Sequence, residues 1–246
     1  MKIEQNTIYM MDCLEGMKHI SDNSSDLILC DLPYGVTDCK WDIVIPLVEL
    51  WEQYKRVIKD NSAIILTSTQ PFTTDLINSA RGLFKYSLVW NKVNHSNPFL
   101  AKHQPLRTHE DVLVFSNGKP PYNPQGLIEV NKIKKQGAKI SDNFGSGRRN
   151  KEYFQSNTNY PKSILNFSKA YTGSANSQLH STQKPVELFE YLIKTYSNEG
   201  DTVLDNCMGS GTTAVAAINT KRNYIGFEND QKYFDICQGR INNVNA

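Results

Sequence analysis

From Val203 to Glu228 the chain reads as strand, glycine loop, helix, strand and acid, an order that few folds accommodate. Val203-Leu204-Asp205 has the character of a short buried strand, and Asn206 to Gly211 breaks any period. Gly209 and Gly211 permit a tight turn and close approach of backbone to a ligand. Thr212 or Thr213 is placed to cap a helix running to Asn219. The next strand, 223–227, ends at Glu228. An acid about 20 positions past such a loop is placed to bind ribose hydroxyls. The spacing Gly209-Ser210-Gly211-Thr212-Thr213-Ala214 is close to the G-x-G-x-x-A fingerprint. By itself the loop suits a nicotinamide dinucleotide or S-adenosylmethionine equally.

The same alternation runs through the rest of the chain. Segments 7–11, 26–30, 63–67, 86–90, 112–116, 202–205 and 223–227 have the β-branched and aromatic content of strands. In the clearest helical pattern, 46–59, Leu47, Leu50, Trp51, Tyr54 and Ile58 share one face. Strands alternating with helices predict an α/β fold with a doubly wound, mostly parallel sheet. Segments 86–90 and 112–116 have no helical pattern between them and are expected to pair antiparallel. The 246 residues suffice for one sizeable core and a small second lobe. No apolar run approaches the roughly 20 residues that span a bilayer, and Met1 to Gln5 lacks the apolar stretch of a leader. The five scattered cysteines form no C-x-x-C pair. A reduced cytoplasmic protein, without a disulfide framework or a zinc site, is expected.

Asp31-Leu32-Pro33-Tyr34 leaves the carboxyl end of strand 26–30, where open α/β sheets bind ligands. The set suits the exocyclic amine of a nucleobase, a poor nucleophile because its lone pair is delocalised into the ring. Two acceptors, the Asp31 carboxylate and the Leu32 carbonyl, are suited to bind its two N–H groups and draw the nitrogen towards sp³ geometry. Tyr34 is suited to stack on the base, and Pro33 stiffens the turn. Asp, Pro, Tyr and Gly are also common in turns, so the tetrapeptide alone fits an ordinary strand exit as well.

His180-Ser181-Thr182-Gln183-Lys184-Pro185 precedes a helical pattern over 186–196. Pro185 falls in the first turn, where its missing N–H costs nothing. In chain order these three motifs resemble the β class of DNA amino-methyltransferases. That family has a D-P-P-Y-type motif first, then a target-recognition region, an H-x-T-x-K-P segment and a D-x-x-x-G-S-G-T-T loop. The resemblance covers nearly the whole chain outside the middle insert. It implies a circularly permuted, seven-stranded methyltransferase sheet that binds S-adenosylmethionine and methylates N6 of adenine in duplex DNA. The base would be flipped out and attacked directly, with no metal. Catalysis would rest on Asp31, Leu32, Pro33 and Tyr34. The cofactor site would comprise Asp12, Cys13, His180, Thr182, Gln183, Lys184, Pro185, Asp205, Gly209, Ser210, Gly211, Thr212, Thr213 and Glu228. Asp12 suits the N-cap of the helix that begins at Cys13 equally well. Leu32 stands where the family usually has proline; the carbonyl survives, but proline's restraint on its predecessor moves from Asp31 to Leu32.

Residues 117–179 differ in texture. Basic residues outnumber acidic ones ten to three there, although the whole chain carries only +2. Aromatics are interleaved, which suits phosphate and base contact. A target-recognition insert over 119–179 is expected, with the catalytic domain formed by 1–118 and 180–246. Lys132, Lys134, Lys135, Arg148, Arg149 and Lys151 are its candidate contacts to double-stranded DNA. His109-Glu110 fits no zinc motif and reads as turn or recognition residues. The absence of any Pro-Cys dipeptide argues against a C5-cytosine enzyme. N4-cytosine methylation poses the same chemistry as N6 methylation and stays open. RNA or protein-glutamine methyltransferases usually place the cofactor loop first. A nicotinamide oxidoreductase would leave Asp31 to Tyr34 and Lys184-Pro185 without a role. The resemblance fits a bacterial or phage source, a monomer or a homodimer, and leaves room for a restriction endonuclease partner.

Overall fold

Successive side chains on a strand point to opposite faces of a sheet. Along the central strands both sets are apolar, so this sheet must be covered on both sides. Leu27 and Leu29 join one core with Ala63 and Ile65, while Ile28 and Cys30 join a second with Ile64 and Leu66. The computed structural model describes residues 1–36, 39, 42–96, 98–135, 152–168 and 183–245. Its elements are β1 (Thr7–Met10), α1 (Cys13–Met17), β2 (Ser25–Asp31), α2 (Leu47–Val57), β3 (Ile58–Ser68), α3 (Phe72–Ser79), β4 (Phe84–Ser96) and β5 (Arg107–Phe115). There follow β6 (Ile128–Lys135), β7 (Glu152–Thr158), β8 (Ile164–Asn166), α4 (Val186–Tyr196), β9 (Thr202–Asp205), α5 (Thr212–Asn219), β10 (Asn223–Glu228) and α6 (Gln231–Asn245).

The main sheet has the order β1-β10-β9-β2-β3-β5-β4-β8. Its strands pair in parallel from β1 through to β3, and β4 pairs in parallel with β8. Only β5 is reversed against its neighbours, which includes the expected antiparallel pairing with β4. All seven expected segments are strands, and β8 makes an eighth. It is three residues long, too short to show a period, and it docks by pairing Val89, Trp90 and Asn91 with Ile164, Leu165 and Asn166. Leu50, Trp51, Tyr54 and Val57 bury the inner face of α2. That helix stops at Val57, short of the expected Lys59, because Ile58 is already extended and pairs with Ser25. α4, α5 and α6 cover the opposite face, through residues such as Leu188, Ala216 and Ile241.

The chain divides into two compact units, Met1–Asn123 with Ser163–Ala246, and Pro124–Lys162. Residues 119–123 and 163–168 of the span expected for the insert therefore lie in the larger unit, where Leu165 is buried. The smaller unit contains the antiparallel pair β6–β7. Among the described residues, no helix is long and apolar enough to cross a membrane.

The loop from β9 to α5 is built around one buried carboxyl. Asp205 Oδ1 accepts the Cys207 N–H at 2.9 Å, and Oδ2 accepts the Thr213 hydroxyl. Thr213 is thus spent on Asp205 and does not cap α5. The N-cap is Gly211, in the left-handed region at φ 85°, and no side chain caps that end. A Cβ on Gly211 would clash with Cys237 Sγ on α6. Gly211→Ala should therefore cost about 2–4 kcal/mol, combining left-handed backbone strain with overpacking, as read by urea denaturation.

Burial pushes the Asp205 carboxyl up to about 6, against the Thr213 and Cys207 hydrogen bonds that pull it down. A carboxyl raised on folding stabilises the native state fully below its unfolded value and loses that contribution as pH rises through the folded value. Relative to Asp205→Asn, wild-type stability should fall by up to about 3 kcal/mol between pH 4 and pH 7. Urea midpoints at each pH measure this; a difference that stays flat would show that the carboxyl titrates normally.

Candidate active site

A cavity of about 330 Å³ opens where β1, β10, β9 and β2 end. Parallel pairing brings those four carboxyl ends to one edge, the usual place for a ligand in such sheets. Three acids line the cavity, Asp12, Asp31 and Glu228. Glu228 closes β10; its Oε2 accepts the Gly209 N–H at 2.7 Å, and its Oε1 accepts those of Asn229 and Asp230 at 2.9 Å. Burial raises its pKa, and the three N–H groups offset this only in part. A carboxylate has about four lone-pair sites, so acceptor capacity for a hydroxyl remains. Asp12 is the N-cap of α1, its Oδ1 accepting from Leu14 and Glu15 N–H at 2.9 and 3.1 Å, and it also faces the cavity. Cys13 lines the same wall and is buried. Ile43, Ile45, Phe227 and Tyr233 supply apolar and aromatic walls. No motif marks these, because a wall needs only shape and apolarity.

The glycine loop separates this cavity from a recess of about 40 Å³, and Asp31, Cys207 and Gly209 line both. Gln183, Lys184, Asp205, Ser210, Thr212 and Thr213 line the recess. The loop is pinned from behind by Arg240, whose guanidinium donates to the Ser210 carbonyl at 2.7 Å. Thr212 Oγ1 donates to the Lys184 carbonyl at 3.4 Å, joining the loop to the segment that enters α4. Pro185 is the N-cap of that helix.

At the end of β2, Asp31 Oδ1 accepts the Tyr34 hydroxyl at 2.6 Å and the Thr67 hydroxyl, while Oδ2 accepts Lys184 Nζ at 2.5 Å. Burial, reinforced by the Asp31 charge, holds the Tyr34 phenol well above its usual range, so it stays a neutral donor. Its ring packs against Phe72 at 5.5 Å between centroids. Pro33 lines the larger cavity, and the Leu32 side chain is buried in the core beside α2.

Lys184 leads to two residues with a part the sequence does not reveal. Its Nζ also lies 3.4 Å from Glu110 Oε2, and Glu110 Oε1 pairs with Lys92 at 2.5 Å. Burial works against the Lys184 ammonium, but Asp31 and Glu110 outweigh it and raise its pKa. Burial likewise pushes the Glu110 carboxyl up, and Lys184 and Lys92 outweigh that, so the net direction is down. Glu110 is therefore no turn residue: it sits in β5 opposite Trp90 of β4. The signal for it was an acid inside a strand that is otherwise apolar towards its end.

His180 and Thr182 lie outside the described residues, as do Arg148, Arg149 and Lys151. Lys132, Lys134 and Lys135 stand exposed on β6, in the smaller unit. Among the described residues, no group of three or more His, Cys, Asp or Glu is placed to hold a metal ion.

Comparison with known proteins gives this site its family. The N6/N4 methyltransferase family model, described as DNA methylase, matches residues 25–239. The DNA adenine methyltransferase YhdJ of Escherichia coli is 31% identical, over 97% of this chain and 83% of its own. The type II methyltransferase M.HinfI of Haemophilus influenzae is 28% identical, over 97% of this chain and 69% of its own. Two solved structures share the fold. The M1.HpyAVI–SAM complex has a TM-score of 0.63 at 24% identity, covering 95% of this chain and 98% of that one. The cytosine-N4-specific PvuII DNA methyltransferase has a TM-score of 0.67 at 15% identity, covering 99% and 92%. With the family model matched over most of its length, this chain belongs to the N6/N4 family of DNA methylases.

Proposed function

We propose that this chain transfers the methyl group of S-adenosylmethionine to the exocyclic N6 of adenine in duplex DNA. The observation that carries the reading is the place of Asp31, which lines both the larger cavity and the recess beside it. A group so placed can hold an amine next to a cofactor. The larger cavity suits a nucleoside-bearing cofactor: apolar walls for a flat base, Glu228 for ribose hydroxyls and Asp12 for an adenine amine. When bound, S-adenosylmethionine supplies a methyl group on a sulfonium, already electrophilic. The protein's own part is positioning: Asp31 and the Leu32 carbonyl accept the amine N–H groups, Tyr34 stacks on the base, and Asp205 and Glu228 keep the glycine loop in shape. The adenine-directed relative at 31% identity favours N6 over N4.

The decisive experiment combines purified enzyme, tritiated S-adenosylmethionine and unmethylated genomic DNA, followed by digestion to nucleosides. Label should elute as N6-methyldeoxyadenosine. Label in N4-methyldeoxycytidine would move the assignment to cytosine, and unlabelled DNA would sink the function. Asp31→Ala should slow transfer by at least about a hundredfold, the scale of losing one preorganised partner in a closed site. Cofactor affinity measured by calorimetry should change little, because Asp31 is assigned to the amine. Near-normal turnover would remove Asp31 from catalysis.

The basic segment 119–179 is read as the target-recognition insert, and β6 refines which of its lysines matter. Lys132 and Lys134 stand opposite Gln155 and Tyr153, on one face of the β6–β7 pair. Lys135 belongs to the other face, where it lies 3.4 Å from Glu152. Lys132→Ala with Lys134→Ala should weaken binding to all duplexes and lower the slope of log affinity against log salt by about two. Lys135→Ala should leave that slope nearly unchanged. Fluorescence anisotropy at four salt concentrations checks both, and an unaltered slope in the double variant would make β6 a solvated face.

A further inference from the structure

Asp31 already accepts three hydrogen bonds before any base arrives, and Lys184 stands on Oδ2, the oxygen that keeps a lone-pair site. Tyr34 and Thr67 donate to Oδ1, and Lys184 donates to Oδ2. The same ammonium lies 5.6 Å from the centroid of the Tyr34 ring. The two groups assigned to the target base, the carboxylate and the stacking ring, thus both face Lys184. Beyond it, Glu110 Oε2 is buried and makes no well-formed hydrogen bond among the described residues; Lys184 Nζ stands 3.4 Å away, long for a charged hydrogen bond. A poorly bonded buried acceptor is costly, and a donor that reaches it recovers that cost.

We propose that Lys184 is a placeholder for the target amine, and that Glu110 takes over its ammonium when the base enters. This rests on the reading of Asp31 as the amine's acceptor. In the exchange, Asp31 trades one Lys184 N–H for one amine N–H, and Glu110 Oε2 gains a well-formed charged hydrogen bond. No proton changes owner and the net charge of the site stays constant. The side chain can pivot while its backbone stays put, because the Lys184 carbonyl is held by Thr212 and Pro185 starts α4. Glu110 cannot follow it, because its other oxygen is held by Lys92 and its backbone belongs to β5. The placeholder also has a use between turnovers: it neutralises Asp31, so no bare carboxylate faces an approaching phosphate backbone. Glu110 is by this account a positioning residue, acting through Lys184, and it never touches the substrate.

The test is single-turnover methyl transfer from tritiated S-adenosylmethionine to unmethylated genomic DNA, with enzyme in excess. Glu110→Gln leaves Lys184 without its second carboxylate, so the ammonium stays on Asp31 and transfer should slow roughly 10–100-fold, the worth of a charged hydrogen bond. Adding Lys184→Met removes the competitor, so the double variant should be faster than Glu110→Gln alone. A purely structural role predicts the reverse, since a second buried change would only add damage. A double variant as slow as Glu110→Gln, or slower, overturns the exchange while wild-type transfer still stands. A wild-type enzyme that transfers nothing overturns the functional reading and the exchange with it. Should Glu110→Gln not fold, the wild type carries the test through ¹⁵N NMR of its lysine ammonium groups, with Lys184 assigned by its loss in Lys184→Met. Its resonance should move on adding DNA with S-adenosylhomocysteine, and one that stays in place overturns the proposal.

Discussion

A buried ammonium between two carboxylates holds the chemistry of this chain together. Asp31 and Lys184 are 153 positions apart in sequence, yet they meet at 2.5 Å. Taking a charge out of water costs several kcal/mol, and removing one member of a buried pair costs about 3–5 kcal/mol, because the other is left uncompensated. Here the signs alternate through Asp31, Lys184, Glu110 and Lys92, so each buried charge has an opposite neighbour. The reversed strand of this sheet is what brings Glu110 to the network. Glu110 lies near the beginning of β5, and in a strand parallel to β3 that residue would sit at the far edge of the sheet. Reversal brings it to the edge where β2 ends: Ser68 pairs with Asp111, and Trp90 with Glu110. The register of β4 and β5 is therefore part of the site.

Much of this architecture was legible in the sequence because its signals are local. Residues 186–196 form a helix as the proline before them and the apolar period predict, and the strands at 26–30, 202–205 and 223–227 announce themselves by composition. What was not legible depends on partners distant in sequence. Thr213 has the chemistry of a cap, but Asp205 claims its hydroxyl and leaves the helix start to Gly211. Glu110 reads as a turn or recognition residue, and only folding puts it inside β5 beside the two lysines that give it a part. β8 has no pattern of its own and exists because β4 offers an edge. The walls Ile43, Ile45 and Tyr233 come from three stretches with no shared motif.

The acids of the cavity and of the recess stand in motifs that the sequence marks, and three of them have a structural duty. Glu228 accepts three backbone N–H groups across the turn it faces, Asp12 caps α1, and Asp205 is spent within its own loop. A glycine loop has high conformational entropy unless something restrains it. Here the carboxylates supply the restraint before any ligand arrives, which lowers the ordering cost that binding must meet. The two duties are compatible because a carboxylate has more lone-pair sites than a loop of this size uses.

The smaller unit poses the opposite problem, since little holds it among the described residues. β6 and β7 form a two-stranded ribbon whose faces are both largely exposed, and such a ribbon is marginal in water without further strands or a packed face. Its two faces are unlike. One carries Lys132 and Lys134 with Gln155 and Tyr153; the other carries Ile133 and Phe154, 70% and 64% exposed, beside the Lys135–Glu152 pair. Under the proposed reading this division has a physical sense. Lys132 and Lys134 suit a phosphate backbone, which is indifferent to base sequence. A two-stranded ribbon is also among the shapes that a DNA major groove admits. Contact with a duplex would then supply order that the ribbon's own packing does not, so part of the phosphate attraction would be spent on ordering the protein. Affinity per contact should accordingly be lower for this insert than for a rigid helix presenting the same two charges.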